Sequence, residues 1–315
     1  MINCILFSKD RAMQVDATLR SFFVHCHDPE NVMMSVLYTC STSQHEKQYT
    51  QLIQEWKIKP QVRFIKEHNF RKDLLNILNP YHNHFLRNLA YRLLLIEDIR
   101  ITRRIQPYLS LPYTNESVMF LVDDSIFTSG FNVTKISSAL SANPNALGFS
   151  LRLGKNVTYS YMLRQDQKQP IFLDLGDNIQ KFNWVDSEKD FNYPLEVSSS
   201  IYRTIDIIKS IIGSHFSNPN FLEGVMNVNK NKFSSSHPNL LCYTNSVAFC
   251  NPINIVQSAS LENRQGEQFK YSSTELADLF DKGKRINIDP YTHYLTNSCH
   301  TELKLHFRET KVKNE

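Results

Sequence analysis

The feature that most constrains this chain is the run Ser117-Val118-Met119-Phe120-Leu121-Val122-Asp123-Asp124-Ser125-Ile126-Phe127, an apolar stretch of strand length that ends in two adjacent carboxylates. The pattern predicts a buried strand with its acids at the carboxyl edge. Open α/β sheets bind ligands at that edge. Neighbouring aspartates repel each other unless a cation or hydrogen-bond donors compensate, and hard oxygen ligands of this kind suit magnesium or manganese. A strand-end Asp-Asp is equally a turn or helix-cap signal, because carboxylates accept backbone N–H bonds. The motif leaves both readings open.

The rest of the chain agrees with such a sheet. Ile2 to Phe7 reads as a strand buried on both faces, and Met13, Val15, Leu19, Phe22 and Phe23 then recur at helical spacing. Met34 to Thr39 is a second strand, followed by a helix through Leu52, Ile53 and Trp56, and Val62 to Ile65 is a third. A helix broken near Asn79-Pro80 and another from Tyr81 through Ile96 precede the acidic strand. After it come a helix from Asn132 to Leu140, a strand from Leu147 to Arg152 and an irregular stretch over 156–192, with short strands at Ile171 to Leu175 and near Trp184. A helix containing Ile205, Ile208 and Ile212, a strand-like run from Leu240 to Cys250 and an amphipathic helix from Thr274 to Lys282 complete the reading.

Composition narrows the function classes. The 315 residues are 41% hydrophobic and 21% charged, as in an ordinary soluble protein, and a net charge of +4 is too mild to argue for nucleic acid. That charge suits an anionic substrate or a loose contact with an acidic membrane surface. No apolar run reaches spanning length and the opening lacks a basic leader, so the expectation is a cytoplasmic protein without a transmembrane segment, at most peripheral to the inner face of the membrane. Six cysteines without CxxC spacing read as reduced core residues. With eight glycines and neither GxGxxG nor GxxxxGK, the chain has no dinucleotide fingerprint and no P-loop.

Val122-Asp123-Asp124 resembles the acidic signature of GT-A-fold glycosyltransferases, and "CILFSKDRAMQVDATLRSF" is similar to the start of the family-2-like members. Arg87-Asn88-Leu89-Ala90 resembles the helix that precedes their metal strand, and "NPINIVQ" resembles a later block of theirs. The resemblance implies a three-layer α/β/α Rossmann-like domain with a mostly parallel central sheet. It divides the chain into a catalytic domain over 1–260, with a nucleotide-sugar half (1–127) and an acceptor half (128–260), and a C-terminal extension over 261–315.

The function it implies is transfer of a sugar from a nucleotide-diphosphate donor to a glycan, polysaccharide or lipid-linked acceptor, with Mn2+ or Mg2+. Asp124 and His300 would hold the metal, with His237 second to His300. Phe7, Ser8, Lys9, Arg11, Thr39, Ser41, Arg87 and Asp123 would meet the nucleotide or its diphosphate. Tyr159, Tyr161 and Trp184 would offer stacking surfaces to a sugar. Relatives of this kind carry an Asp-Gly pair about where Ser198-Ser199 stand.

Glu223 follows Asp124 at an interval similar to that between metal motif and catalytic base in many inverting GT-A enzymes, which implies a base that takes the acceptor's hydroxyl proton. Asp186, Glu188 and Asp190 are the reserve candidates. Asn220 with Glu223 three residues on has capping-box spacing, so a cap is the rival account of this acid. A nucleotidyltransferase and a non-catalytic glycan-binding scaffold are the rival functions.

Overall fold

A computed structural model describes residues 1–79, 85–93, 104, 117–254, 264 and 266–310. Its centre is a nine-stranded sheet. The strands are β1 (Ile2–Lys9), β2 (Val32–Thr39), β3 (Val62–Lys66), β4 (Ser117–Val122), β5 (Ala146–Ser150), β6 (Leu173–Asp174), β7 (Ile179–Asn183), β8 (Ser200–Arg203) and β9 (Asn239–Tyr243). Their order across the sheet is β3-β2-β1-β4-β8-β5-β9-β7-β6. Only β7 and β8 run against the others, so the sheet is mostly parallel by direction.

The opening strands are apolar throughout because both faces are covered. Side chains alternate across a strand, so Cys4 and Leu6 enter one core while Ile5 and Phe7 enter the other. The first core gathers α1 (Ala12–His25), α2 (Ser43–Trp56), α5 (Val133–Ala142) and α8 (Ser273–Asp281); the second gathers α3 (Phe70–Leu78), α6 (Thr204–Ile211) and α7 (Pro219–Val228). The α/β/α layering expected from sequence is therefore present. A further helix, α4 (Phe85–Arg92), carries Arg87, whose side chain lies outside the described residues. His82, His84, Arg100, Arg103 and Asn263 also lie outside them.

Two features depart from the sequence reading. Residues 200–203 form β8, an antiparallel strand between β4 and β5, where no strand was expected. The run from Leu240 to Cys250 is not one strand: β9 ends at Tyr243, and Ala248–Cys250 pairs instead with Ser125–Phe127, just beyond the paired acids.

The order β3-β2-β1-β4 puts a topological switch between β1 and β4, the kind of crevice where ligands bind in open α/β sheets. Phe7 pairs with Val122 across that boundary, so the next residues, Ser8 and Asp123, emerge side by side at its carboxyl edge.

Candidate active site

The two acids after β4 have different surroundings. Ser8 Oγ donates to Asp123 Oδ2 at 2.7 Å and Arg11 Nη1 donates to Oδ1 at 2.8 Å. Thr18 Oγ1 donates to the Asp123 carbonyl oxygen at 2.9 Å. Asp123 is buried and both its carboxylate oxygens are committed. Asp124 Oδ2 stands 3.9 Å from Arg11, while its Oδ1 is buried without a partner among the described residues. Burial pushes the Asp124 carboxyl up to about 6; Arg11 and Arg152 oppose the rise and the Asp123 charge adds to it. Buried polar atoms normally have partners, so Oδ1 marks the place where this corner can accept a donor or a cation.

A second group lies where β5 runs out. Arg152 Nη2 pairs with Glu196 Oε2 at 3.1 Å, and both side chains are buried. Arg152 Nη1 donates to His300 Nε2 at 3.3 Å. Burial, reinforced by Arg152, pushes the imidazole down to about 3, so His300 is neutral and its Nε2 lone pair is taken up by the guanidinium. His300 lines the same cavity as Asp124, with its Nε2 occupied by that contact. Glu196 is fixed in turn by the Ser198 N–H, which donates to its Oε2, and by Tyr202, whose hydroxyl donates to the Glu196 carbonyl at 3.0 Å. Ser199 has φ 99°, a backbone that favours glycine, at the position where the family resemblance expects one.

Glu223 is carried by α7. Asn218 caps this helix by accepting from the Phe221 N–H at 3.0 Å, and Pro219 follows at the first helical position. The cap is thus Asn218 and not Asn220, and Glu223 is free of it. Leu222 and Met226 face the core while Asn220, Glu223 and Gly224 face a cavity. Burial pushes the Glu223 carboxyl up to about 7; the Glu196 charge adds to the rise, and Arg152 and the Tyr193 hydroxyl oppose it.

These groups line one cavity of about 1020 Å³ at the switch point. Phe7, Ser8, Lys9 and Thr39 line it from β1 and β2, Arg11 from the start of α1, Asp123 and Asp124 from the end of β4, and Glu223 and His300 from the later elements. Ser41 does not: it is exposed, and its N–H is held by Asp10 Oδ1 at 2.6 Å. Arg11 lines the cavity with its charge already engaged, since Nη2 donates to the Asn254 carbonyl.

Of the reserve acids, Asp186 and Glu188 are exposed and stand outside the cavity lining. Asp190 lines the cavity with both oxygens bonded, by Ser160 at 3.0 Å and Gln167 at 3.2 Å. Trp184 is buried, its Nε1 donating to the His237 carbonyl, and Tyr161 donates to Glu302; neither ring lines the cavity, nor does Tyr159. His237 stands 3.8 Å from Asp206, also outside the cavity lining.

The sequence reading passed over Arg152, Glu196 and Tyr193, all of which line the cavity. Arg152 had a usable signal, for it ends an apolar strand-like run as Asp123 and Asp124 do. Glu196 and Tyr193 sit in irregular chain, where pattern carries no such information.

No family model matches the chain. It is 30% identical over 251 residues to a bifunctional glycosyltransferase, pgtA, of Dictyostelium discoideum, a match covering 75% of this chain and 28% of that relative. The chain therefore spans well under half of the relative's length. Among solved structures it is similar to S. aureus TarS, with 11% identity, 80% of this chain and 60% of that one covered and a TM-score of 0.42. It is similar also to the mannosyltransferase PcManGT from Pyrobaculum calidifontis in complex with GDP-Man and Mn2+, with 8% identity, coverage of 77% and 54% and a TM-score of 0.34. By its sequence, the chain is a homologue of a glycosyltransferase.

Proposed function

We propose that the chain is a metal-dependent glycosyltransferase that moves a sugar from a nucleotide-diphosphate donor to a hydroxyl of a glycan, polysaccharide or lipid-linked acceptor, with inversion. The observation that carries the reading is the shared cavity of Asp124 and Glu223, one acid with an unpartnered oxygen and the other with its carboxyl held near neutrality. On this reading 1–127 is the donor half, 128–260 the acceptor half and 261–315 a C-terminal extension. The setting is cytoplasmic, with the inner face of the membrane as the peripheral alternative; no helix of the described residues is long and apolar enough to cross a membrane.

The donor nucleotide lies along the ends of β1 and β2, against Phe7, Ser8, Lys9 and Thr39. Lys9 offers its ammonium to phosphate, and Arg11 acts through the two acids it braces. A divalent cation fits the free oxygen of Asp124, and Asp124 would hold it; no group of three or more His, Cys, Asp or Glu among the described residues would hold one unaided. Such an ion supplies positive charge to the leaving diphosphate. Glu223, ionised, accepts the proton of the acceptor hydroxyl as that oxygen bonds to the anomeric carbon and the bond to the diphosphate breaks. A carboxyl near 7 is a stronger base than an ordinary glutamate and is still half-ionised at neutral pH.

A scaffold that merely keeps the fold would have Glu223 bonded to its own helix, whereas Glu223 lines the same cavity as Asp124, Tyr193, Glu196 and Arg152. Titration calorimetry with a panel of UDP-, GDP-, CMP- and dTDP-sugars, with and without manganese, tests the proposal. One donor binding in a metal-dependent way, and lost in Asp124→Asn, is the expected result. No binding by folded protein across the panel would overturn it.

A further inference from the structure

We infer that Tyr49, a residue of α2 that does not line the cavity, is a positioning residue for the donor site: it holds the single hydroxyl hydrogen of Ser8 on Asp123, so that Ser8 meets the donor only as a hydrogen-bond acceptor. The inference rests on the cavity taking a nucleotide-diphosphate sugar and goes beyond it, since it fixes which groups of that donor Ser8 can take.

The hydrogens of this corner can be counted. Ser8 has one hydroxyl hydrogen, and a carboxylate paired with a guanidinium only accepts, so the 2.7 Å contact spends that hydrogen on Asp123 Oδ2. Tyr49 Oη stands 2.5 Å from the same Ser8 Oγ, and with the serine hydrogen spent the phenol is the donor. The Tyr49 oxygen accepts in turn from the Arg11 N–H at 3.4 Å, while Arg11 Nη1 donates to the other Asp123 oxygen at 2.8 Å. Two arms leave Arg11 and meet on one carboxylate. Every donor in the longer arm points the same way.

Tyr49 is built to keep that direction. It is fully buried, and its ring stacks on Tyr38 with centroids 4.5 Å apart and 11° between the planes. Burial and the Asp123 charge push its phenol well up, so it keeps the proton it donates. A buried hydroxyl needs a partner, and here the partner is a residue of the cavity wall. Ser8 is left with one lone pair and no hydrogen to give. The diphosphate of a nucleotide sugar brings acceptors, whereas ribose hydroxyls and the N–H groups of a base bring hydrogens. Ser8 therefore takes the nucleoside and not the diphosphate.

Two measurements test this. In NMR of the ligand-free protein, the Tyr49 hydroxyl proton, assigned by the resonance that Tyr49→Phe removes, should move upfield in Ser8→Ala; a resonance indifferent to Ser8→Ala would overturn the chain. The second is calorimetry with UDP, GDP, CDP and dTDP in the presence of manganese, followed by the 2′-deoxy, 3′-deoxy and base N-methyl analogues of whichever binds. One analogue should bind wild type about tenfold more weakly than its parent, the loss of one hydrogen bond. In Ser8→Ala that ratio should fall to within about twofold, because the acceptor is gone. In Tyr49→Phe it should also shrink, since the serine hydrogen is released to turn toward the cavity. A Tyr49 that merely packs would weaken parent and analogue by the same factor. An unchanged ratio in Tyr49→Phe, or a wild type that discriminates against none of the analogues, would overturn the inference while leaving the donor reading in place. No binding of any diphosphate by folded protein would overturn the donor reading and the ligand half of the inference with it, and the hydroxyl proton, read without ligand, would still decide the chain.

Discussion

At the scale of single residues, the two aspartates after β4 share a sequence context but not a role. Asp123 is the close partner of buried Arg11, and Asp123→Asn would replace that contact with a neutral amide and leave the guanidinium only the more distant Asp124 carboxylate, 3.9 Å away. Breaking a buried pair in this way costs about 3–5 kcal/mol, so chemical denaturation should show a large loss of stability. Asp124→Asn removes a carboxylate that burial already disfavours, and its stability should stay within about 1 kcal/mol of wild type while donor binding is lost. Glu223 adds a pH signature. Its folded midpoint of about 7 lies above the ordinary 4.5, so the folded chain holds the proton more tightly and its contribution to stability falls as pH rises between those values. Glu223→Gln, which never ionises, should match wild type near pH 4.5 and exceed it by about 1–3 kcal/mol at pH 8 in parallel urea titrations. The strand-end pattern made Asp123 and Asp124 legible in the sequence. The resemblance set Asp124 apart as the metal ligand, but that Asp123 is spent on protein partners was not legible, because Ser8 and Arg11 reach it from a segment far away in the chain.

At the scale of elements, what was legible depended on whether the information was local. Strands β1, β2 and β4 announce themselves because burial on both faces forces continuous apolar runs. Strand β8 is four residues long and its place between β4 and β5 is fixed by pairing across more than fifty positions of chain, which no local pattern encodes. The start of α7 lies between these cases. Asn218 and Asn220 are both capable caps, but Pro219 decides between them, since proline lacks an N–H and suits the first helical position, which makes the preceding residue the cap. Asn218→Ala should therefore cost about 1 kcal/mol, seen as a fall in Tm, whereas Asn220→Ala should leave Tm nearly unchanged. Because the first turns of α7 carry Glu223, the Asn218 variant should also lower kcat more than it alters donor KM. Equal effects from the two asparagines would return the cap, and Glu223 with it, to the capping-box account.

At the scale of the whole molecule, the C-terminal residues are built into the first core. Leu276, Phe280, Ile286, Tyr291 and Leu305 pack in the same cluster as Cys4, Leu6, Val15 and Phe22. Arg285, only 2% exposed, lies over the Phe280 ring at 3.5 Å and pairs with Glu55 of α2 at 2.7 Å. Further along, His300 forms a β-bridge with Cys250 and so places Arg152's partner in the cavity wall. The sequence reading saw an amphipathic helix here but had no means of knowing which face it would cover, because an apolar stripe does not name its partner. A segment that shares its core with β1 and α1 should open only when they do. In hydrogen exchange followed by mass spectrometry across a denaturant series, peptides covering α8 and residues 284–286 should therefore lose protection together with those covering α1. Arg285→Ala, which strips the clamp, should speed exchange in both sets to the same degree. Earlier opening of the C-terminal peptides alone would mean that they dock onto a core already complete, and His300 would then be held in the cavity by a part of the chain able to leave it.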